Sequence, residues 1–187
     1  MKKVLTLLLV MLFLSGCTAK NLELEKMMTF RASLISAMGC QFRANITADY
    51  QDELYHFTLD CQSDEDGNLR FEAVTPESIS GINGSITGSG GKIHFENETA
   101  LAFETMADGQ ITPVTAAWVF VKALRGGNVT SCGMEGDDMR VSIDDSYQEN
   151  ALRLDIWFSH DNKPRHAQIL WKDHRILSLD VVDFEIL

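Results

Sequence analysis

The chain has 187 residues, 45% of them hydrophobic, with ten phenylalanines, thirteen glycines and three prolines. That apolar mass can fill one core, and it excludes a disordered, collagen-like or coiled-coil chain. Sixteen basic against twenty-seven acidic residues give a net charge of −11, which opposes nucleic acid and opposes charge-driven binding to an anionic membrane.

Met1-Lys2-Lys3 opens the chain, and an apolar run from Val4 to Leu14 follows, broken only by Thr6. As a helix this run would rise about 16 Å, roughly half of the ~30 Å of bilayer hydrocarbon, so it reads as a secretion signal rather than a span. Leu14-Ser15-Gly16-Cys17 and the polar Thr18-Ala19-Lys20-Asn21 resemble the bacterial lipobox. The resemblance implies cleavage before Cys17 and diacylglycerol on its thiol. The chain then divides into a signal peptide (1–16), a lipidated tether (17–21) and one domain (22–187). Two acyl chains anchor a protein without help from charge. The expected location is extracytoplasmic, on the outer or cytoplasmic membrane according to envelope type. An ordinary signal peptide with an incidental cysteine is the alternative. Loss of the first sixteen residues removes two lysines from the net −11 and leaves −13.

Leu22 to Met38 is expected to be a helix, with Met27, Phe30, Leu34 and Met38 on one face and Gly39 ending it. A hairpin follows. Phe42, Ala44, Ile46 and Ala48 alternate with polar residues, as do Tyr55, Phe57 and Leu59. Folding about Tyr50-Gln51 pairs Ile46 with Tyr55, Ala44 with Phe57, Phe42 with Leu59 and Cys40 with Cys61. Directly opposed Cβ atoms lie within ~5.5 Å, near the range of a disulfide, and an extracytoplasmic location permits one. A Cys40–Cys61 bridge is therefore expected, the alternative being two reduced, buried thiols. Cys132 is left over, and no Cys-x-x-Cys spacing supports redox catalysis or zinc.

Ser63 to Asn68 is a polar turn into a strand at Leu69–Ala73 that Pro76 ends. Short strands are expected at 82–87, 92–96 and 100–105. Thr112-Pro113 then starts a helix over Val114 to Leu124, apolar nearly all round and stopped by Gly126-Gly127, so it must be buried or cover something apolar. Strands resume at 129–134, 139–143, 152–158, 165–171 and 175–186. In the last, apolar parity flips between Val181 and Val182, which suggests a bulge.

About eleven strands, one helix before them and one after six of them, resemble in order the lipoprotein-localization factor (LolA/LolB) superfamily. Local carriers of the resemblance are Lys163-Pro164-Arg165-His166-Ala167-Gln168-Ile169 and the stretch from Ile176 to Phe184. The resemblance implies a mainly β (α+β) fold: an antiparallel, strongly curved, unclosed half-barrel with the N-terminal and mid-chain helices covering its concave face. The same fold also appears in lipid-carrying surface lipoproteins, although fold analogy alone does not give function. The lid arginine of the soluble carrier and the exposed finger of the acceptor have no counterpart in any motif of this chain.

Little in the sequence carries chemistry. His56, His94, His160, His166 and His174 lack metal-ligand spacing, and Asp64-Glu65-Asp66-Gly67-Asn68 places its glycine too early for a calcium loop. Gly84 to Lys92 is not a phosphate-binding loop, and no nucleophile elbow or Cys–His pair occurs. No catalytic residue, metal or cofactor is expected, and the chain does not read as an enzyme. What remains is apolar surface. Met27, Phe30, Leu34 and Met38, with Phe42, Phe57, Phe71, Phe95, Phe103, Trp118, Phe120, Phe158 and Trp171, would line a pocket for a lipid or acyl chain between sheet and helices, under a pliable methionine cover that includes Met28. The same residues as a dry core would instead make the chain an envelope interaction or sensor module. Trp157, on the other strand face from Leu154 and Ile156, is then the residue to watch.

Overall fold

Alternation of apolar and polar side chains along almost every strand decides the architecture, because one face of each strand must leave water. The computed structural model describes residues 22–50, 53–87, 92–95 and 105–187. Among them, ten strands form one antiparallel sheet: β1 (Gly39–Asp49), β2 (Leu54–Asp64), β3 (Leu69–Thr75), β4 (Asn83–Thr87), β5 (Lys92–Phe95), β6 (Asn128–Glu135), β7 (Asp138–Asp144), β8 (Arg153–Phe158), β9 (Pro164–Trp171) and β10 (His174–Ile186). Their order is β5-β4-β3-β2-β1-β10-β9-β8-β7-β6, so the first and last strands join at the middle and the sheet stays unclosed. It is the expected curved half-barrel with two helices. The eleventh expected strand, at 100–105, falls largely outside the described residues, as do Phe103 and residues 1–21, where the signal peptide and the tether at Cys17 are expected.

Two helices cover the inner face: α1 (Leu22–Ser36) and α2 (Ala116–Gly126). Thr112 caps the entry to α2 as expected. Thr115 Oγ1 accepts from the Thr112 N–H at 2.9 Å, while the Thr115 N–H donates to Thr112 Oγ1 at 3.4 Å. A single 3₁₀ turn at Pro113–Thr115 leads into α2. At its far end, a Cβ on Gly127 would sit 2.3 Å from Ile143 Cγ2, so glycine lets the helix end press onto β7.

Three expectations change. The hairpin register is displaced by two residues: Ile46 faces Phe57, Ala44 faces Leu59, Phe42 faces Cys61 and Cys40 faces Ser63. Cys40 and Cys61 are thus diagonal neighbours on one face rather than opposed, and both are free, buried thiols; the expected bridge is not formed. A slip of two keeps every side chain on its face, so alternation could not distinguish the two registers. α1 ends at Ser36, which leaves Met38 in a bend and exposed instead of on the buried face. The irregularity in β10 falls at Asp183, whose φ is 53°, beside the register shift opposite Gln41–Arg43; it turns Phe184 inward.

Candidate functional site

The residues expected to line a pocket come from both helices and from strands across the sheet, and most of those whose side chains are described meet in one apolar cluster. Phe30 of α1 packs edge-on against Phe158 of β8 at 5.1 Å between centroids and tilted against Phe184 of β10 at 5.8 Å. Phe42 of β1 stacks on Phe184 at 5.7 Å and meets Phe120 of α2 edge-on at 5.6 Å. These separations are those of aromatic pairs in contact. Five rings therefore bridge helices and sheet, with Met27 and Leu34 fully buried beside them in the same apolar cluster. Phe57 and Phe71 are buried on the inner faces of β2 and β3. Trp118 and Trp171 are half-buried at the margin, capped by Lys122 and Lys172 over their rings at 5.4 and 3.8 Å. Trp171 Nε1 is buried without a hydrogen-bond partner. Met38 stands outside this cluster, and Met28 faces solvent. Phe95 sits in β5 opposite Gly84; its side chain and that of Phe103 lie outside what the structure describes. Phe184 is the member that the sequence reading missed, although the parity flip at Val182 is its signal.

The two helices are fastened to each other by exchanged arginines. Arg31 of α1 donates from Nε to Leu124 O at 2.8 Å and from Nη2 to Ala123 O at 3.1 Å. Arg125 of α2 donates from Nη1 to Leu34 O at 3.1 Å and from Nη2 to Glu65 O in the β2–β3 turn. Each helix thus supplies a cation to the carbonyls that end the other, where the dipole is negative. The turn is tight because the Asp64 carboxylate accepts from the Asn68 and Asp66 N–H groups and from Asn68 Nδ2, at 2.9–3.0 Å.

The convex face carries a different arrangement. Register places Arg140, Trp157, His166, Asp180, Asn45 and Thr58 directly opposite one another across β7, β8, β9, β10, β1 and β2. The Trp157 ring has Arg140 at 5.3 Å on one side and the His166 ring at 5.2 Å on the other, and His166 Nδ1 is 2.7 Å from Asp180 Oδ1. Thr58 donates to Asn45 Oδ1 at 2.9 Å. Beneath the arginine, Asp155 is almost fully buried, taking Ser142 Oγ at 2.6 Å and Arg140 Nη2 at 2.7 Å. The bond to Asp155 first, and then Glu135 at 3.2 Å, hold the Arg140 guanidinium above its ordinary pKa and fully charged. A groove along edge strand β6, lined by Thr130, Ser131, Glu135, Arg140 and Arg153, borders this row. Trp157 is half-buried rather than fully exposed. His166 lies in β9, within the strand expected at 165–171. Register across successive hairpins, and the pairing of β10 with β1 that joins Asp180 to Asn45, builds the row, so no local motif announces it.

The cysteines are packing groups. Burial pushes the Cys40 thiol up to about 12, with Arg125 acting weakly the other way, and burial pushes Cys61 higher still. Cys132 is raised by partial burial and by Glu23. Because the thiolate is the reactive form, a chromogenic disulfide reagent should, of Cys40, Cys61 and Cys132, titrate only Cys132, and slowly, in the native full-length chain. In denaturant, three thiols should react, and four if Cys17 carries no lipid. Rapid native reaction at Cys40 or Cys61 would contradict their packing.

No family model matches the chain, and neither does any curated protein sequence. Among solved structures, the chain is similar to an uncharacterized conserved protein from Thermus thermophilus, at 12% identity and a TM-score of 0.45 over 87% of this chain and 86% of that one. It is similar also to a LolA superfamily protein from Nitrosomonas europaea, at 9% identity and a TM-score of 0.40 over 88% and 93%. A putative outer membrane lipoprotein-sorting protein domain from Vibrio parahaemolyticus aligns over 86% and 91% of the two chains, at 7% identity and a TM-score of 0.39.

Proposed function

We propose that this chain is a lipid-anchored, extracytoplasmic binding domain that engages another protein of the cell envelope through its convex sheet face. The packed aromatic cluster carries this reading. Phe30, Phe42, Phe120, Phe158 and Phe184 occupy the layer between helices and sheet where an acyl chain would otherwise lie. With that layer taken up, among the described residues, by the chain's own side chains, recognition falls to the surface. There Trp157, held between Arg140 and His166 and bordered by the β6 groove, has the aromatic–arginine composition of interface hot spots. Nothing in this reading requires catalysis, a metal or a cofactor.

One observation favours a second reading, a lipid or acyl-chain ligand. Trp118 and Trp171 are half-buried at the margin of the core, and the Trp171 N–H has no partner, as at the mouth of an apolar site. Both readings are tested on the full chain extracted gently from membranes. Crosslinking should capture a discrete envelope protein, and Trp157→Ala should weaken capture tenfold or more, at hot-spot scale. Trp118→Glu should leave capture unchanged. If instead native mass spectrometry finds a releasable lipid beyond any covalent anchor, and Trp118→Glu abolishes it while Trp157→Ala changes nothing, the ligand reading stands and the surface reading falls.

A further inference from the structure

α1 is apolar on two sides. Met27, Phe30 and Leu34 face the sheet, while Met28 and Ile35, on the far side of Arg31, are 49% and 51% exposed, and Met38 beyond the helix end is 75% exposed. Leu24, 38% exposed, extends the same row towards the N-terminus. Tyr147, 90% exposed in the β7–β8 link, stands within electrostatic reach of Arg31. A globular helix normally turns charged residues outward at such positions.

We propose that this row lies in the interfacial layer of the bilayer to which the chain is tethered, so that α1 docks flat on the membrane. The proposal rests on the lipidation of Cys17. Five Cα steps separate Cys17 from Leu22, about 17 Å when fully stretched, so the start of α1 stays within that distance of the anchor. Met28 follows about 9 Å further along the helix, and a helix lying in the plane keeps it at the same depth. Charge permits this orientation. α1 and α2 carry Lys26, Arg31, Lys122 and Arg125 against Glu23 and Glu25, whereas the chain as a whole is strongly acidic. The two helices thus carry a net positive charge within an acidic chain, so they do not add to repulsion by an anionic leaflet. Apolar side chains with an aromatic and nearby cations make up the composition of helices that sit in the headgroup layer. Docking there also turns the convex face away from the membrane.

The test uses the full-length chain, expressed with its signal and reconstituted in phosphatidylcholine–phosphatidylglycerol vesicles, with or without lipids brominated near the headgroup end of the acyl chain. Met28→Trp and Ile35→Trp each add an indole to the row; Glu72→Trp adds one to the exposed face of β3. The extra emission of the first two should be quenched by about half or more and blue-shifted, as expected for residues at the headgroup boundary. That of Glu72→Trp should not change. Intact mass reports the anchor in each sample. Equal quenching at all three positions, in chains whose mass includes diacylglycerol, would overturn the docking alone. A mass without it would overturn the anchoring and the docking together.

Discussion

Replacing Phe120 with alanine should lower the unfolding free energy by about 3–5 kcal/mol, one of the largest effects available to a single substitution in this chain. The ring has no exposed surface, points from α2 into the five-ring cluster and touches Phe42 at 5.6 Å. Its loss removes the transfer energy of a phenyl group and leaves a void that backbone cannot close, because exchanged arginines fasten α2 to α1 and Gly127 seats it against β7. For a chain of this size, each kcal/mol shifts the melting temperature by roughly 2–4 °C, so a fall of about 10 °C is expected. The urea midpoint should drop with the slope unchanged, and Ser33→Ala on the exposed side of α1 should stay within about 0.5 kcal/mol of the parent. The measurement also bears on function. If an empty or lipid-filled pocket lay beside Phe120, its removal would enlarge an existing space and cost far less.

The inner face was legible in the sequence almost residue by residue, because burial writes a period of two into each strand and the Thr112-Pro113 start writes a helix. Phe42, Phe57, Phe71, Phe120 and Phe158 all sit where that pattern puts them. Two things were not legible. Register was one: moving the hairpin centre by a single residue preserves the inside and outside of both strands, so the misplacement of Cys40 against Cys61 left no trace in hydrophobicity. The other was the convex row. Arg140, Trp157, His166, Asp180 and Asn45 come from five strands, aligned by the register of the β7-β8-β9-β10 hairpins and by the pairing of β10 with β1, and register is what alternation does not fix. Met38 shows a smaller failure. Helical periodicity placed it inward, but Gly39 must enter β1 with φ at 149°, and the chain leaves the helix two residues early to do so.

The two faces assign complementary tasks. The helical side carries an exposed apolar row and cations, and under the proposed anchoring the tether would reach it at Leu22. The convex side carries the tryptophan, the buried aspartate and the β6 groove. A domain held by its helices against the membrane would present the row around Trp157 outward, where a partner in the envelope can reach it. Loss of partner capture in Met28→Asp as well as in Trp157→Ala would tie the two faces together. The first variant should act only when the chain is in a membrane.

Gly39→Ala should be at least as damaging as Phe120→Ala, for a reason that lies in the backbone. Glycine at this position has φ of 149°, and a Cβ built there would fall 1.9 Å from the Ser63 carbonyl oxygen of β2. No rotamer relieves that overlap, since the neighbour is main chain on a paired strand. β1 must move away from β2, or its first residues must unpair. The same residue also holds the end of the sheet, because the Leu187 N–H donates to Gly39 O at 3.0 Å and the Met38 N–H donates to Leu187 O at 3.2 Å. Disruption therefore spreads to β10 and to the Phe184 contacts that close the aromatic cluster. Gly81→Ala supplies a comparison free of steric overlap. Its φ of 81° is also positive, though nearer the left-handed region that a side chain can enter, and nothing stands within 4 Å of the added carbon. It should lose only about 1–2 kcal/mol, the cost of a left-handed residue, while Gly39→Ala loses about 3 kcal/mol or more. Urea unfolding of the two variants side by side measures the difference. Equal losses would mean that β1 and β2 can separate at Gly39 without strain, and that the start of β1 is not the clamp its geometry implies.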